Sequence, residues 1–559
     1  MSGSVADRLL NRVRAGEVPA PEELLSFLSI PEGSARAKQF AALSAAFAEA
    51  GNASQAAVLA ERAYIVSRFD EPYLDRCVEL LAKCGDIDGL RNVLKRAGIE
   101  AANEGRIPEA IDLFNRSLYA FATHLQCDRY VYDFEMLAAI EGMAAPYRKP
   151  ARAHAVGQRS RIAVLVFGAV HTGSVIVRIL ATFAQHADRS RHELAFFVPE
   201  ASRAISRSAS AREQVAALER GGWSTYVPRS SDPLEIMVET AQAIHEWTPD
   251  VLLTSALCAD LRHYFIASTR PAPRIVGLVL GPIPQFTASW LDWNIAVSAH
   301  PAMDVPGNCS VVPFEFTPPT KSDLKVEMRE NLGLQPGEKV IASAGRSNKF
   351  ESGDFWRAIA QLMSRHPDCC YMAIGLDALP DVALASLQGS QKDRIRLVTW
   401  RDDYLRILAL ADILIDTYPS GGGIALLDAM ALGIPTVSMT NDFLHSFDQT
   451  DWSLGSEFVE IPELVAARHD FSGLVSIVSR LLTNEVERLR LGRECAALMR
   501  ARRGAPERMI RGWEAVFKKV VELPASSVRP GTTLHIPVAQ AIRTGRVYRW
   551  LRRISRGIR

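Results

Sequence analysis

Three consecutive glycines stand between a short apolar segment, 413–415, and a second apolar segment that ends at Gly433. The glycines, Gly421–Gly423, lie where a helix is predicted to begin, and the first N–H groups of a helix have no partner within it. Such N–H groups bind phosphates. Asp428 interrupts the apolar helix, and a carboxylate in that setting needs a hydrogen-bonding partner. The pattern predicts a site for a diphosphate with a sugar hydroxyl beside Asp428, as in a nucleotide-sugar.

Two cations follow the predicted strand 340–344. Arg346 and Lys349 stand within five residues of its end, and ligands of open α/β sheets bind at the carboxyl ends of the strands. Cations in that place neutralise a leaving diphosphate. We therefore expect both side chains to contact the diphosphate, with Lys349 as the catalytic one. The alternative is that the two are solvated surface residues.

A histidine follows the first apolar strand of the chain, 161–167. His171 lies in a loop that does not match the pattern G-x-G-x-x-G, which argues against a dinucleotide site of the dehydrogenase kind. Because an imidazole titrates near neutral pH, His171 can act as a general base toward an acceptor hydroxyl or hydrogen-bond the substrate. An ordinary loop histidine fits the sequence equally well.

The segments around these residues alternate between strand and helix patterns. The apolar strand segments of a first set are 161–167, 194–198, 224–227, 251–254, 275–280 and 294–297, and those of a second set are 340–344, 371–374, 396–398, 413–415 and 436–438. A proline-rich segment, 301–319, separates the two sets. Such alternation indicates doubly wound parallel sheets. We predict two Rossmann-like α/β domains, 161–319 and 320–523, with a cleft between them.

The N-terminal part has a different pattern. Residues 35–125 are rich in alanine, with apolar residues at helical spacing. Gly51 and Gly85 are 34 residues apart, which is the period of a tetratricopeptide repeat. We predict an all-α tetratricopeptide-like domain over 1–146 that docks a partner, followed by a linker over 147–160. A plain helical bundle is the alternative.

The composition excludes several classes of protein. A net charge of +1 at pH 7 argues against a protein that wraps nucleic acid. The eight cysteines lack the paired spacing of a zinc site or a disulfide framework. Neither a signal peptide nor a long apolar run is visible. We expect a cytoplasmic protein with reduced thiols, without a metal centre and without a cofactor.

The C-terminal tail, 524–559, is strongly basic. Between Arg543 and Arg559 it contains seven arginines and no acid, with apolar residues at helical spacing. This pattern predicts an amphipathic helix. The helix either lies on the inner face of the membrane, which would make the protein peripheral there, or docks on an acidic surface of the protein itself.

These residues together resemble the O-linked N-acetylglucosamine transferases and their bacterial protein-glycosylating relatives. The resemblance spans about 160–520. It is carried by Arg270-Pro271-Ala272-Pro273, Leu280-Gly281, Asp292-Trp293-Asn294-Ile295, Lys349, Asp416-Thr417 and Gly433-Ile434-Pro435. It implies tetratricopeptide repeats before a GT-B catalytic region, which consists of two Rossmann-like domains.

The resemblance also implies roles for single residues. Lys349 corresponds to the family's diphosphate-contacting lysine, Asp428 to the carboxylate that holds the nucleotide ribose, and His171 to a histidine of the cleft. The nucleoside is inferred from the resemblance to be uridine. Its base meets a strand end of the second domain, which here carries Val398, Trp400 and Arg401.

Three features qualify these implied roles. Trp400 either stacks on the base or belongs to the core, and aromatic residues at strand ends are more often core. The family has a histidine and two threonines where this chain has Gly421–Gly423, and it usually has a glutamine at the position of Arg346.

The leading hypothesis is an inverting, metal-independent glycosyltransferase that moves N-acetylglucosamine or a related hexose from a UDP-sugar to a protein side chain. The helical domain would select the acceptor protein. Two alternatives remain open. One is a glycosyltransferase of lipid-linked or cell-surface glycan synthesis, suggested by the basic tail, and the other is a scaffold whose transferase region has lost activity. The sequence leaves the choice between monomer and homo-oligomer open.

Overall fold

The computed structural model describes residues 5–17, 19, 23, 34–67, 71–124, 133–150, 159–171, 174–255, 260–279, 290–297, 308–401, 403–418, 421–440 and 453–523. The predicted basic tail and the Leu280-Gly281 pair lie outside these residues. The chain divides into two compact units, which are considered separately: residues 1–125 with 133–143, and residues 126–132 with 144–559.

The first unit is helical. Its described helices are α1 (Val5–Arg14), α2 (Ser34–Glu49), α3 (Ala53–Val66), α4 (Glu71–Lys83), α5 (Ile87–Asn103), α6 (Ile107–His124) and α7 (Phe134–Ala144). Gly51, Gly85 and Gly105 follow helix ends with φ of +78°, +74° and +77°, a conformation that favours glycine and stops a helix. Gly98 of α5 lies so close to Phe114 of α6 that a Cβ atom would overlap the ring. The all-helical N-terminal domain is confirmed, and its helix pairs fit a tetratricopeptide-like arrangement.

The second unit begins with a seven-stranded sheet in the order β3-β2-β1-β4-β5-β6-β7, and all of its paired strands are parallel. The strands are β1 (Ser160–Leu165), β2 (His192–Phe197), β3 (Ser224–Tyr226), β4 (Val251–Thr254), β5 (Ile275–Val279), β6 (Trp293–Ala296) and β7 (Cys309–Val311). The helices are α8 (Val175–His186), α9 (Ser202–Arg207), α10 (Ala209–Glu219), α11 (Pro233–Trp247) and α12 (Leu261–Ser268). This is the first predicted α/β domain, with β7 as a strand that the sequence analysis missed.

A second parallel sheet follows in the order β10-β9-β8-β11-β12-β13. Its strands are β8 (Lys339–Ala344), β9 (Cys369–Ile374), β10 (Ile395–Val398), β11 (Ile413–Ile415), β12 (Thr436–Met439) and β13 (Val465–Ala466). Its helices are α13 (Gly353–Arg365), α14 (Asp381–Ser386), α15 (Gly389–Lys392), α16 (Tyr404–Leu408), α17 (Ile424–Ala431), α18 (Leu454–Val459), α19 (Phe471–Thr483) and α20 (Glu485–Arg503). The two doubly wound sheets in series are confirmed.

The last described helix, α21 (Pro506–Glu522), returns to the first sheet. The ring of Trp513 packs 5.0 Å from the ring of Phe183 on α8, and Lys519 Nζ lies 4.3 Å from the centre of the Trp293 ring on β6. This helix lies within the predicted second α/β domain, 320–523, because it follows that domain in the chain. Its apolar face instead covers the first sheet.

Candidate functional site

Lys349 and the glycine loop meet at the carboxyl end of the second sheet. A short 3₁₀-helix, Ser347–Phe350, follows β8 and carries Lys349. Lys349 Nζ donates a hydrogen bond to the carbonyl oxygen of Gly421. Arg346 precedes this helix and is exposed. The structure thus brings the lysine together with the loop, whereas contact of either cation with a diphosphate stays a prediction.

A buried carboxylate, Asp416, holds the glycine loop at the end of β11. Asp416 Oδ1 accepts the N–H of Gly422 at 2.5 Å, and Oδ2 accepts the hydroxyl of Ser438 at 3.0 Å. Burial raises the pKa of Asp416 from 3.8 to about 6, and these hydrogen bonds and the charge of Lys349 oppose that rise. Asp416 belongs to the Asp416-Thr417 motif of the sequence but had no predicted role.

The glycines of the loop make room for this carboxylate. A Cβ atom at Gly421 would lie 2.6 Å from Asp416 Oδ2. A Cβ atom at Gly422 would overlap Leu426, and one at Gly455 of α18 would overlap Asp416 Oδ2. Close packing therefore explains why glycine stands at these three positions, against Asp416 at Gly421 and Gly455 and against Leu426 at Gly422, whether or not a phosphate binds there.

The three predicted phosphate-binding glycines have different surroundings. The N–H of Gly422 is donated to Asp416, and the carbonyl of Gly421 accepts from Lys349. Gly423 is the N-cap of α17, so the first N–H groups of that helix come directly after it. Binding of a diphosphate by Gly421–Gly423 stays a prediction.

Asp428, the predicted ribose ligand, lies in α17 and is fully buried. Arg178 of α8 binds it with two hydrogen bonds, from Nη1 to Oδ2 at 2.7 Å and from Nη2 to Oδ1 at 2.8 Å. Tyr404 donates its hydroxyl to Oδ2 as well. Both carboxylate oxygens are therefore engaged by the protein, and the ion pair joins the two α/β domains. A contact with ribose stays a prediction.

The electrostatics of this cluster favour the charged pair. Burial alone would lower the pKa of Arg178, but the attraction of Asp428 raises it above its usual value. Burial and the negative charge of Asp428 together raise the pKa of Tyr404 well above 10, so the phenol stays protonated and donates. The guanidinium of Arg178 also lies 4.1 Å from the centre of the Phe316 ring.

Sequence reasoning missed Arg178 and Tyr404 as partners of Asp428. A usable signal was present for one of them. Arg178 is the one charged residue of the apolar stretch 175–183, just as Asp428 is the one charged residue of the apolar stretch 424–432. Two lone and opposite charges in apolar helices are candidates for each other, because a buried charge needs a partner.

His171 lies in the loop after β1, as predicted, and is exposed. Its ring centre is 5.8 Å from that of Phe167, and its backbone carbonyl accepts the side-chain amide of Gln214 at 2.7 Å. Its role as a general base stays a prediction.

The three predicted base-binding residues separate into core and surface. Val398 is buried, and the Trp400 ring stacks on the Tyr404 ring with centres 5.1 Å apart. Arg401 is exposed and pairs with Asp403. The packing of Trp400 favours the core interpretation, and base binding by these residues stays a prediction.

Two kinds of feature are absent from the described residues. No group of three or more histidine, cysteine, aspartate or glutamate side chains is placed to hold a metal ion. Within the same ranges, no helix has both the length and the apolar composition that crossing a bilayer requires.

Residues 338–484, which form most of the second α/β domain, match the family model described as glycosyl transferases group 1. The second α/β domain is thus similar to the domains of this glycosyltransferase family. This match confirms the predicted class of enzyme. No curated protein matches the chain.

Two solved structures are similar to this chain. A mutant form of the O-GlcNAc transferase of Thermobaculum terrenum is 17% identical with a TM-score of 0.52, and the match covers 93% of this chain and 98% of that chain. A glycosyltransferase of Rickettsia africae is 12% identical with a TM-score of 0.48, and the match covers 66% of this chain and 100% of that chain. The likeness to the first establishes the fold, so the predicted GT-B arrangement after a helical domain is confirmed.

Proposed function

We propose that the protein transfers N-acetylglucosamine or a related hexose from a UDP-sugar to a protein side chain, with inversion at the anomeric carbon and without a metal ion. The observation that carries this proposal is the contact of Lys349 Nζ with the glycine loop at the carboxyl end of the second sheet. That edge is where ligands of α/β sheets bind.

Lys349 has the charge and the place to assist the leaving group. When the bond between the sugar and the diphosphate breaks, negative charge grows on a phosphate oxygen, and a fixed cation nearby lowers the barrier. Arg346, exposed in the same turn, adds a second cation toward the diphosphate. His171 would take the proton of the acceptor hydroxyl as that oxygen attacks.

Asp428 would bind the ribose by an exchange of partners. Arg178 presents two N–H groups to the two carboxylate oxygens at 2.7 and 2.8 Å. The neighbouring 2′ and 3′ hydroxyls of a ribose offer two donors in a similar arrangement. A nucleoside would therefore displace Arg178, and the free energy of breaking the ion pair would be subtracted from that of donor binding.

The sugar and the acceptor are each supported by one feature. The Thermobaculum terrenum protein is named as an O-GlcNAc transferase, and its fold covers nearly the whole chain. The helical first unit, with its tetratricopeptide-like helix pairs, is the natural candidate to hold a protein acceptor.

The test is to incubate the purified protein with UDP-N-acetylglucosamine and with an extract of cells that lack its gene. The modified peptides are then identified by mass spectrometry. We expect the mass of one N-acetylhexosamine on specific side chains. Lys349→Ala should reduce transfer by about 100-fold or more, because loss of one electrostatic contact to the transition state has an effect of that size.

A matched control lies on the same strand. Lys339 begins β8, at the end opposite to Lys349, and pairs with Asp368 at 3.0 Å. Lys339→Ala should keep full transfer. Equal transfer by Lys349→Ala and Lys339→Ala would contradict the role of Lys349.

A scaffold without activity is the second candidate. It is favoured by the fact that Asp428 and the N–H of Gly422 already have partners within the protein. Binding of UDP distinguishes the two, because a scaffold that has lost the donor site gives no heat when UDP is added.

A further inference from the structure

Asp416 is a buried acid beside the proposed donor site that the transfer reaction described above does not use. It follows β11 directly and is 7% exposed. Its two oxygens accept from the N–H of Gly422 at 2.5 Å and from the hydroxyl of Ser438 at 3.0 Å. The loop conformation thus depends on this carboxylate.

The surroundings of Asp416 are built closely. Gly421, Gly422 and Gly455 approach it from the loop and from α18, and a Cβ atom at Gly421 would lie 2.6 Å from Oδ2. Packing of this kind leaves little freedom for the carboxylate to turn away. Its position and that of the loop are therefore fixed together.

The groups that face Asp416 come from each element packed against it. The loop and the chain after β11 offer the N–H groups of Gly422 and Thr417, β12 offers the hydroxyl of Ser438, and the 3₁₀-helix after β8 offers the positive charge of Lys349. Lys349 is linked to the same loop through the carbonyl of Gly421. Asp416 and the diphosphate would consequently share one cation.

We propose that Asp416 is a positioning residue for the donor's diphosphate, and that donor binding is coupled to the uptake of one proton from solvent by the Asp416 carboxylate. This inference rests on the proposed function. A diphosphate on Lys349 takes a share of the lysine's charge and brings negative charge toward the carboxylate. Both changes favour the protonated acid, because like charges close together disfavour ionisation.

The geometry accommodates the proton. Asp416 accepts from Ser438 Oγ, and a hydroxyl can reverse its role, so a protonated Oδ2 can donate to Ser438 instead. The O–H bond of the carboxyl group forms, and the acid form of the buffer supplies the proton as its own bond to that proton breaks.

In the protein without bound nucleotide-sugar, Asp416 is in the protonation state that this coupling requires. Burial raises the pKa of Asp416 to about 6, so most of these carboxylates are ionised at pH 7 and able to take up a proton. If the bound nucleotide-sugar raises that pKa further, the affinity of the protein for the nucleotide-sugar falls as pH rises above about 6. The fall is at most about tenfold per pH unit. Below that pH the acid is protonated in both states and its contribution levels off.

The experiment is calorimetric titration of the full-length protein with UDP-N-acetylglucosamine at pH 7 in buffers of different ionisation enthalpy. Both phosphates of this donor are substituted and keep their single charges between pH 5 and 8, so the ligand itself does not titrate. The dependence of the heat on the buffer counts the protons taken up. We expect between about one half and one proton in the wild type, and a decrease of about that amount in Asp416→Asn.

Two further variants make the result specific. Asp412 precedes β11 as Asp416 follows it, and accepts the N–H of Val340 at 2.8 Å at the other end of the strand. Asp412→Asn should keep the proton uptake of the wild type. Ser438→Ala removes one hydrogen-bond donor to Asp416, so the affinity for the nucleotide-sugar should begin to fall at a higher pH. This variant keeps the inference testable if Asp416→Asn does not fold.

The outcomes separate this inference from the proposed function. Binding without proton uptake, or equal uptake by wild type and Asp416→Asn, overturns the role of Asp416 alone. Absence of binding by the wild type overturns both the proposed donor and the coupling. If Ser438→Ala leaves the pH dependence of nucleotide-sugar affinity unchanged, that result also contradicts the proposed role of Asp416.

Discussion

Asp416 and Asp428 are both buried, stand twelve residues apart on either side of the glycine loop, and are held in opposite ways. Asp428 meets the guanidinium of Arg178 and the phenol of Tyr404. Asp416 meets a backbone N–H and a hydroxyl. The carboxylate of Asp428 is thus bonded directly to a cation, whereas the hydrogen-bond donors to Asp416 are neutral groups.

The difference separates a carboxylate that is paired with a cation from one that is held by neutral donors. A bidentate pair with arginine stabilises the charged carboxylate through both hydrogen bonds and Coulomb attraction. Neutral donors compensate burial less completely, and the pKa of Asp416 accordingly rises to about 6. Asp428 therefore ties the two α/β domains together, whereas Asp416 can respond to pH and to charge brought into the site.

Removing the cation of Asp428 should have the largest effect on stability. Arg178→Ala leaves the fully buried carboxylate of Asp428 without its cation, and a change of that kind costs about 3–5 kcal/mol. Urea denaturation followed by tryptophan fluorescence measures the loss. Arg189→Ala is the control, because Arg189 lies over the Trp223 ring at 4.7 Å and its cation–π contact contributes about 1 kcal/mol. Equal stability of the two variants would mean that the ion pair does not hold the domains.

Asp416 should make stability depend on pH in a direction opposite to that of a salt-bridged acid. Its pKa is higher in the folded state, about 6, than the ordinary 3.8, so the folded state binds more protons between these values. The free energy of unfolding of the wild type relative to Asp416→Asn should thus decrease by about 3 kcal/mol in total as pH rises from well below 3.8 to well above 6. Urea titrations at several pH values measure it. A difference that is constant or increases with pH would contradict the burial argument.

Removing the phenol that donates to Asp428 should have a smaller effect than removing the guanidinium. Tyr404→Phe deletes one hydrogen bond to a charged group while Arg178 remains, which costs about 1.5–3 kcal/mol. Urea denaturation followed by tryptophan fluorescence measures this cost. A cost as large as that of Arg178→Ala would show that the two donors act as one unit, and no cost at all would show that the phenol is dispensable.

The sequence predicts most of the framework that positions the site. Apolar segments of strand length recur between helical ones, and the strands β4 and β11 begin and end at the predicted residues. The meeting of Lys349 with the glycine loop also follows from topology, because neighbouring parallel strands β8 and β11 bring their carboxyl ends to one edge. These features are local or depend only on strand order.

The partners of the two aspartates depend on longer-range packing. Arg178 and Asp428 are separated by 250 residues, and their contact is determined by how the first α/β domain docks on the second. Gly455 reaches Asp416 from α18, well beyond the loop itself. The packing of α21 on the first sheet is also a long-range contact, because strand and helix patterns do not specify which surface its apolar face covers.

The most direct test of the proposed donor site is calorimetric titration of UDP into the wild-type protein and Lys349→Ala, with Lys339→Ala as the control. The account predicts saturable binding by the wild type and by Lys339→Ala, and binding weakened at least about tenfold in Lys349→Ala, because that variant loses a charged hydrogen bond to the diphosphate. Equal affinity of all three proteins, or no binding by the wild type, would contradict it.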